Sequence, residues 1–168
     1  MTQPTGLVRT GIEPIDRDHL HLWDLFQTLL EKELRSDEAQ AIIEELLAYT
    51  RYHFEREERL MEDIAFPPQL RQAHEQEHQS FVQRVESFME ILRQGKSRQT
   101  SGMDTLVQEI QQNYNQPQLP NLDPPKQVVA FLVEWILNHT SGMDIELATY
   151  TETKKGHLAD QDFSFLES

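Results

Sequence analysis

His53 and Glu57 stand four residues apart, and so do His74 and His78. In a helix each pair projects from one face. His19 and His139 add one imidazole each, and all six fall where the surrounding apolar pattern places core residues. A helical bundle built from these segments buries five imidazoles and a carboxylate. Such groups cost several kcal/mol apiece when buried without partners. Neutral imidazoles each carry one donor and one acceptor, so five of them cannot satisfy one another. A metal removes the conflict by taking the ring lone pairs and leaving each second nitrogen to an outer acceptor. Imidazole-rich donor sets suit iron, zinc, copper and nickel. Five histidines and Glu57 are too many for one ion. Asp144 follows His139 by five residues, about 140° away on a regular helix. Ser141 and Gly142 between them permit a bulge or a helix end that swings Asp144 inward. The seven side chains then suit two metals if both carboxylates bridge.

The rest of the composition narrows the chemistry. The 168 residues contain no cysteine, which excludes disulfides, thiol catalysis and cysteine-ligated zinc or iron–sulfur clusters. With 15 basic against 29 acidic residues the formal net charge is -14. That balance repels phosphate backbones and anionic lipid, so nucleic acid and membrane surfaces are not expected partners. No apolar run is long enough to span a bilayer, and the first residues lack the basic start and apolar stretch of a signal peptide. The expected location is the cytoplasm.

The elements that position these residues are helices. Residues 17–34 carry His19, Leu22, Trp23, Phe26 and Leu30 at helical spacing. Ser36-Asp37 caps a second helix, 38–64, with the stripe Ile42, Leu46, Tyr49, His53, Glu57, Leu60, Met61 and Ile64. Phe66-Pro67-Pro68 breaks it. A third helix, 69–94, carries Leu70, His74, His78, Phe81, Val85, Phe88 and Leu92, and Gly95 stops it. The fourth begins at Asp123-Pro124-Pro125 and runs through Val128, Leu132, Trp135, Ile136 and His139. The fold class is all-α: one domain, an antiparallel four-helix bundle with an extended helix 3–helix 4 connection. The core covers about 10–94 and 123–150, the insertion 96–122 and the tail 151–168. Within the insertion, Met103, Leu106, Val107, Ile110 and Tyr114 predict a short amphipathic helix before a proline-bearing loop. His21 and His157 fall outside the pattern and read as solvated. Glu58 reads as a surface charge or an acceptor behind a ligand.

Taken jointly, these motifs resemble a known family. They are Ile15-Asp16-Arg17-Asp18-His19, His53-Phe54-Glu55-Arg56-Glu57-Glu58 with Met61, His74-Glu-Gln-Glu-His78 with Phe81, and Trp135-Ile-Leu-Asn-His139 with Asp144. The chain is similar to the bacterial hemerythrins over roughly 10–94 and 126–150. The resemblance implies two iron ions in a non-haem pair that binds O2 reversibly, with an oxo or hydroxo group as third bridge. It implies that His74, His78 and His139 ligate one iron, that His19 and His53 ligate the other, and that Glu57 and Asp144 bridge them. The second iron then keeps a free position for O2, and Phe54, Trp135 and Ile136 become candidate pocket walls. Ile136 stands where the family pattern has leucine. The implied function is O2 carriage, storage or sensing, with no catalytic residue. The other readings are a diiron enzyme that processes peroxide or nitric oxide, and an iron-storage or iron-sensing protein.

Overall fold

The computed structural model describes residues 7–31, 36–94 and 124–154. We label its helices α1 (Glu13–Glu31), α2 (Ser36–Asp63), α3 (Pro68–Gln94), α4 (Pro124–Ser141) and α5 (Met143–Lys154). No strand occurs among the described residues. α5 carries on from α4 after an interruption at Gly142. Each of the first four helices packs on the next, and α4 packs back on α1.

Side-chain pairs fix the directions. Along α1 and α2, Pro14 meets Arg56, Asp18 meets Tyr49 and His21 meets Glu45, so one numbering rises as the other falls. Along α2 and α3 the pairs are Glu58 with His78, Arg51 with Glu86 and Glu44 with Arg93. Along α3 and α4 they are Glu77 with Trp135 and Arg84 with Phe131. Neighbours are therefore antiparallel, as the four amphipathic segments predict.

The boundaries differ from the pattern at several points. α1 starts earlier than residue 17, because Asp16 accepts from the Thr10 and Gly11 backbone amides at 2.7 and 3.1 Å and anchors the first turn. α5 extends past residue 150 to Lys154, carried by the buried Leu147, Ala148 and Thr151. Leu70 keeps the helical spacing yet is 36% exposed, since it lies in the first turn of α3 at the bundle's end. Trp23, Leu30, Ile42 and Tyr49 are half-buried rather than central. Gly95, the 96–122 insertion with its short helix, Asp123, and His157 lie outside the described residues.

The α2–α3 turn shows how local chemistry ends a helix. Ala65 N–H donates to Glu62 O at 3.0 Å, and Phe66 N–H donates to Met61 O at 2.8 Å. This is the double bond of a Schellman stop, with Ala65 in the left-handed position at φ 51°. Phe66 folds back into an apolar cluster with Met61, Ile15, Leu60, Ile64 and Leu147. Pro68 then opens α3 at a position where its missing N–H costs nothing. A larger apolar cluster, including Leu22, Phe26, Leu46, Phe54, Phe81, Leu132 and Ile136, fills the other end. Between the two lies a layer of buried polar side chains. Alanine in the left-handed region is strained, so Ala65→Gly is expected to stabilise the fold by about 1 kcal/mol. Thermal unfolding of the variant, with a midpoint raised by roughly 2–4 °C, checks it.

Candidate metal centre

The polar layer consists of His19, His53, Glu57, His74, His78, His139 and Asp144, each at most 5% exposed. Two groups of ligand atoms form within it. Glu57, His74, His78 and His139 make one, and His19, His53, Glu57 and Asp144 make the other, with the atoms of each group within 4.8 Å of one another. The Nε2 of His74 lies 3.2 Å from Asp144 Oδ1 and 3.6 Å from Glu57 Oε2. His78 Nε2 lies 3.2 Å from Glu57 Oε2, and His139 Nε2 lies 3.1 Å from Asp144 Oδ1. On the far side, His19 Nε2 is 3.1 Å from Asp144 Oδ2, and His53 Nε2 is 3.8 Å from Glu57 Oε1. Each carboxylate thus turns one oxygen to two histidines of the first group and the other to one histidine of the second.

This is a donor set with too few protons. Both oxygens of Glu57 and of Asp144, both nitrogens of His19 and Nε2 of His53 are buried without a hydrogen-bond partner. The Nε2 atoms of His74 and His78 face His139 Nε2 at 2.9 and 3.1 Å. Outer partners set two tautomers. His78 Nδ1 lies 3.1 Å from Glu58 Oε1, and His53 Nδ1 lies 3.4 Å from Asp18 Oδ2. A carboxylate accepts only from N–H, so in the neutral ring both proton positions are outward and both Nε2 lone pairs point inward. Converging lone pairs and two carboxylates with no internal donor fit metal cations.

Protonation follows the same arrangement. Burial pushes Glu57 and Asp144 up, but the surrounding imidazoles outweigh it and hold both well below the usual carboxylate range. Burial opposes charge on His74 too, yet Asp144 and Glu57 raise it to about 9. His139 is lowered, chiefly by burial.

Asp144 reaches the site through the helix interruption. Gly142 N–H is shared between Asn138 O at 3.0 Å and His139 O at 3.2 Å. The chain resumes its helix with Glu146 N–H on Gly142 O at 3.0 Å. A Cβ at residue 142 would meet Asn138 O at 3.1 Å, so glycine suits this close approach.

Several supporting residues escaped the sequence reading. Asp18 is 3% exposed and accepts from Tyr49 Oη at 2.7 Å and from Arg56 Nη1 at 2.9 Å. Burial works against its charge, but the hydrogen bonds of His53 and Tyr49, with the Arg56 charge, keep it below its ordinary value. Burial and the Asp18 carboxylate push the Tyr49 phenol up, so Tyr49 stays a neutral donor. Arg56 is 8% exposed and bonds Tyr52 as well. The i, i+3 and i+4 spacing of Tyr49, Tyr52, His53 and Arg56 was the available signal.

The three candidate pocket residues are all buried. Phe54 stacks on His78 with centroids 3.7 Å apart and also lies 5.5 Å from His53. Trp135 stacks on His139 at 4.4 Å, and its Nε1 donates to Glu77 at 3.1 Å. Two clefts reach the layer. One of about 330 Å³ runs along α2 and α3 to Phe54, Glu58 and His78. The other, about 300 Å³, ends on Trp135, His139 and Gly142. Both open on the three-histidine group.

Residues 10–150 match the family model of the hemerythrin HHE cation binding domain. This chain belongs to the hemerythrin family. Its curated relatives include a protein named bacteriohemerythrin from Pseudomonas paraeruginosa, 35% identical over 83 residues, which are 48% of this chain and 53% of that one. A bacteriohemerythrin from Clostridium acetobutylicum is 34% identical over 84 residues, 46% of this chain and 64% of that one. One from Stenotrophomonas maltophilia is 25% identical over 150 residues, 88% and 78% of the two chains. The chain spans about half the length of the Pseudomonas relative it matches. No solved structure matches it. Like other hemerythrin domains it binds metal, and the buried cluster holds groups able to do so. No helix of the described residues is long and apolar enough to cross a membrane.

Metal binding to this layer stabilises the fold by mass action. Loading the metal-free protein with ferrous iron at 100 times its dissociation constant is expected to raise the melting temperature by roughly 5–10 °C. Glu57→Gln is expected to remove most of that gain, because Glu57 serves both groups. Calorimetry with and without a chelator checks both, and equal melting temperatures would show that the layer takes no metal.

Proposed function

We propose that this hemerythrin domain binds O2 reversibly at a non-haem iron pair. His74, His78 and His139 hold one ion, His19 and His53 hold the other, and Glu57 and Asp144 join them. The observation that carries this reading is the division of each carboxylate. Asp144 gives Oδ1 to His74 and His139 and Oδ2 to His19. Glu57 gives Oε2 to His74 and His78 and Oε1 to His53. Three imidazoles on one side and two on the other leave the second ion one protein donor short, and that position is the seat for O2.

When bound, the two irons supply the electrons that O2 takes up and gives back. The protein supplies the setting. Asp18 and Glu58 hold His53 and His78 in the tautomer that presents Nε2 inward. Tyr49 and Arg56 hold Asp18. Phe54 and Trp135 lie flat on His78 and His139, so they lock those rings and keep water from them. Ile136, one turn before His139 and 1% exposed, belongs to the apolar cluster above the layer. Phe54 borders both halves, through His78 and His53. A dry wall of this kind keeps protons and water from a reactive ligand. O2 carriage, storage or sensing is the role such a site serves.

Anaerobic loading with ferrous iron is expected to give two irons per chain. Air is then expected to produce a new visible absorption band that disappears under argon over repeated cycles. A limit of one iron, or a band that never reverses, would overturn the proposal. Sustained turnover of added hydrogen peroxide would move the assignment to an enzyme.

A further inference from the structure

The threonines of the described helices follow one habit, with one exception. Thr28, Thr140, Thr149, Thr151 and Thr153 each donate the hydroxyl to a backbone carbonyl three or four residues earlier, at 2.6–3.2 Å. Thr50 does not. It is 0% exposed, and its Oγ1 has no hydrogen-bond partner. A hydroxyl that gives up both water and its own helix carries a desolvation penalty the other threonines avoid.

Thr50 lies on α2 between Leu47 and Phe54, two members of the larger apolar cluster. That cluster also contains Leu22, Phe26, Phe81 and Ile136, whose hydrocarbon offers no acceptor. Thr50 precedes His53 by one helical turn. Helical side chains lean toward the N-terminus, so the His53 ring reaches back over the turn that carries Thr50. His53 Nε2 and both nitrogens of His19 likewise lack a hydrogen-bond partner, and the two rings meet edge-on at 4.8 Å. The donor without an acceptor therefore sits beside the half of the cluster that is short of one ligand.

We propose that Thr50 is the hydrogen-bond donor of that ligand seat, an inference that rests on the diiron reading. It favours small exogenous ligands whose outer atom carries a lone pair, dioxygen and azide among them. A preorganised hydroxyl in a dry pocket stabilises negative charge that builds on such an atom. The contact is made only with ligand present, which accounts for the free hydroxyl.

The test uses Thr50→Val, which keeps the shape and removes the donor, and Thr50→Ser, which keeps the donor. All three proteins are loaded with iron, oxidised, assayed for iron and titrated with azide by absorption. The valine variant is expected to hold the same iron as wild type but bind azide about 5- to 10-fold more weakly. The serine variant is expected to stay within about twofold. A second readout needs no metal. Metal-free Thr50→Val is expected to melt roughly 2–4 °C above metal-free wild type, because an unsatisfied hydroxyl is gone. Equal azide affinity in wild type and valine variant would overturn the role of Thr50 while leaving the diiron reading standing. A lower melting temperature of the metal-free valine variant would also overturn it, by showing that the hydroxyl has a partner inside the protein. Two-iron wild type that binds no azide would overturn the open seat itself, and Thr50's role with it.

Discussion

Two carboxylates in a dry interior govern this structure. Glu57 and Asp144 are 0% and 1% exposed and lie among five imidazoles with no hydrogen-bond donor of their own. Charges so placed are tolerable only with opposite charge beside them. Among the described residues no lysine or arginine enters the layer to provide it, and Arg56 is engaged by Asp18 at one edge. Metal cations answer the need, and the shape of the layer follows. The carboxylates stand between the two histidine groups, each with one oxygen toward either side.

The remainder of the bundle serves that arrangement. Apolar clusters close it from both ends, one around Phe26 and Phe81, the other around Met61 and Phe66. Packing at this density holds ring positions within narrow limits. Outside the ring of imidazoles stand carboxylates of a second kind, Asp18 and Glu58, each receiving an outward Nδ1–H. The two are not alike. Asp18 is buried and held by Tyr49 and Arg56, whereas Glu58 borders a cleft and is 38% exposed. His53 is therefore more rigidly braced than His78, and the three-histidine half is the one that the clefts approach. An open coordination position gains from such bracing, since fewer protein donors hold that ion in place.

Membership of the hemerythrin family and the local geometry point to the same chemistry by separate routes. The family match covers residues 10–150 as a whole. The geometry depends on a handful of atoms and on their missing protons. Under the diiron reading proposed above, its asymmetry is what separates a site with an open position from a closed structural one.

Much of the site was legible in the residues because helical periodicity carries it. His53 with Glu57 and His74 with His78 repeat every fourth residue, and polar side chains in an apolar stripe announce a buried polar layer. Gly142 and the prolines mark breaks by their own backbone preferences. What the residues did not disclose depends on how helices turn toward one another. Asp18 and His19 differ by about 100° around α1, yet both are buried, because α2 takes the first and α5 the second. Spacing alone puts Arg56 on the His53 side of α2 but does not name Asp18 as its partner, nor does it reveal that the Thr50 hydroxyl makes no bond to its own helix. Sequence thus determined which chemistry was available and how many helices would present it. Tertiary packing alone decided which oxygen faces which histidine, since contacts across helices depend on rotations and shifts that no single helix encodes.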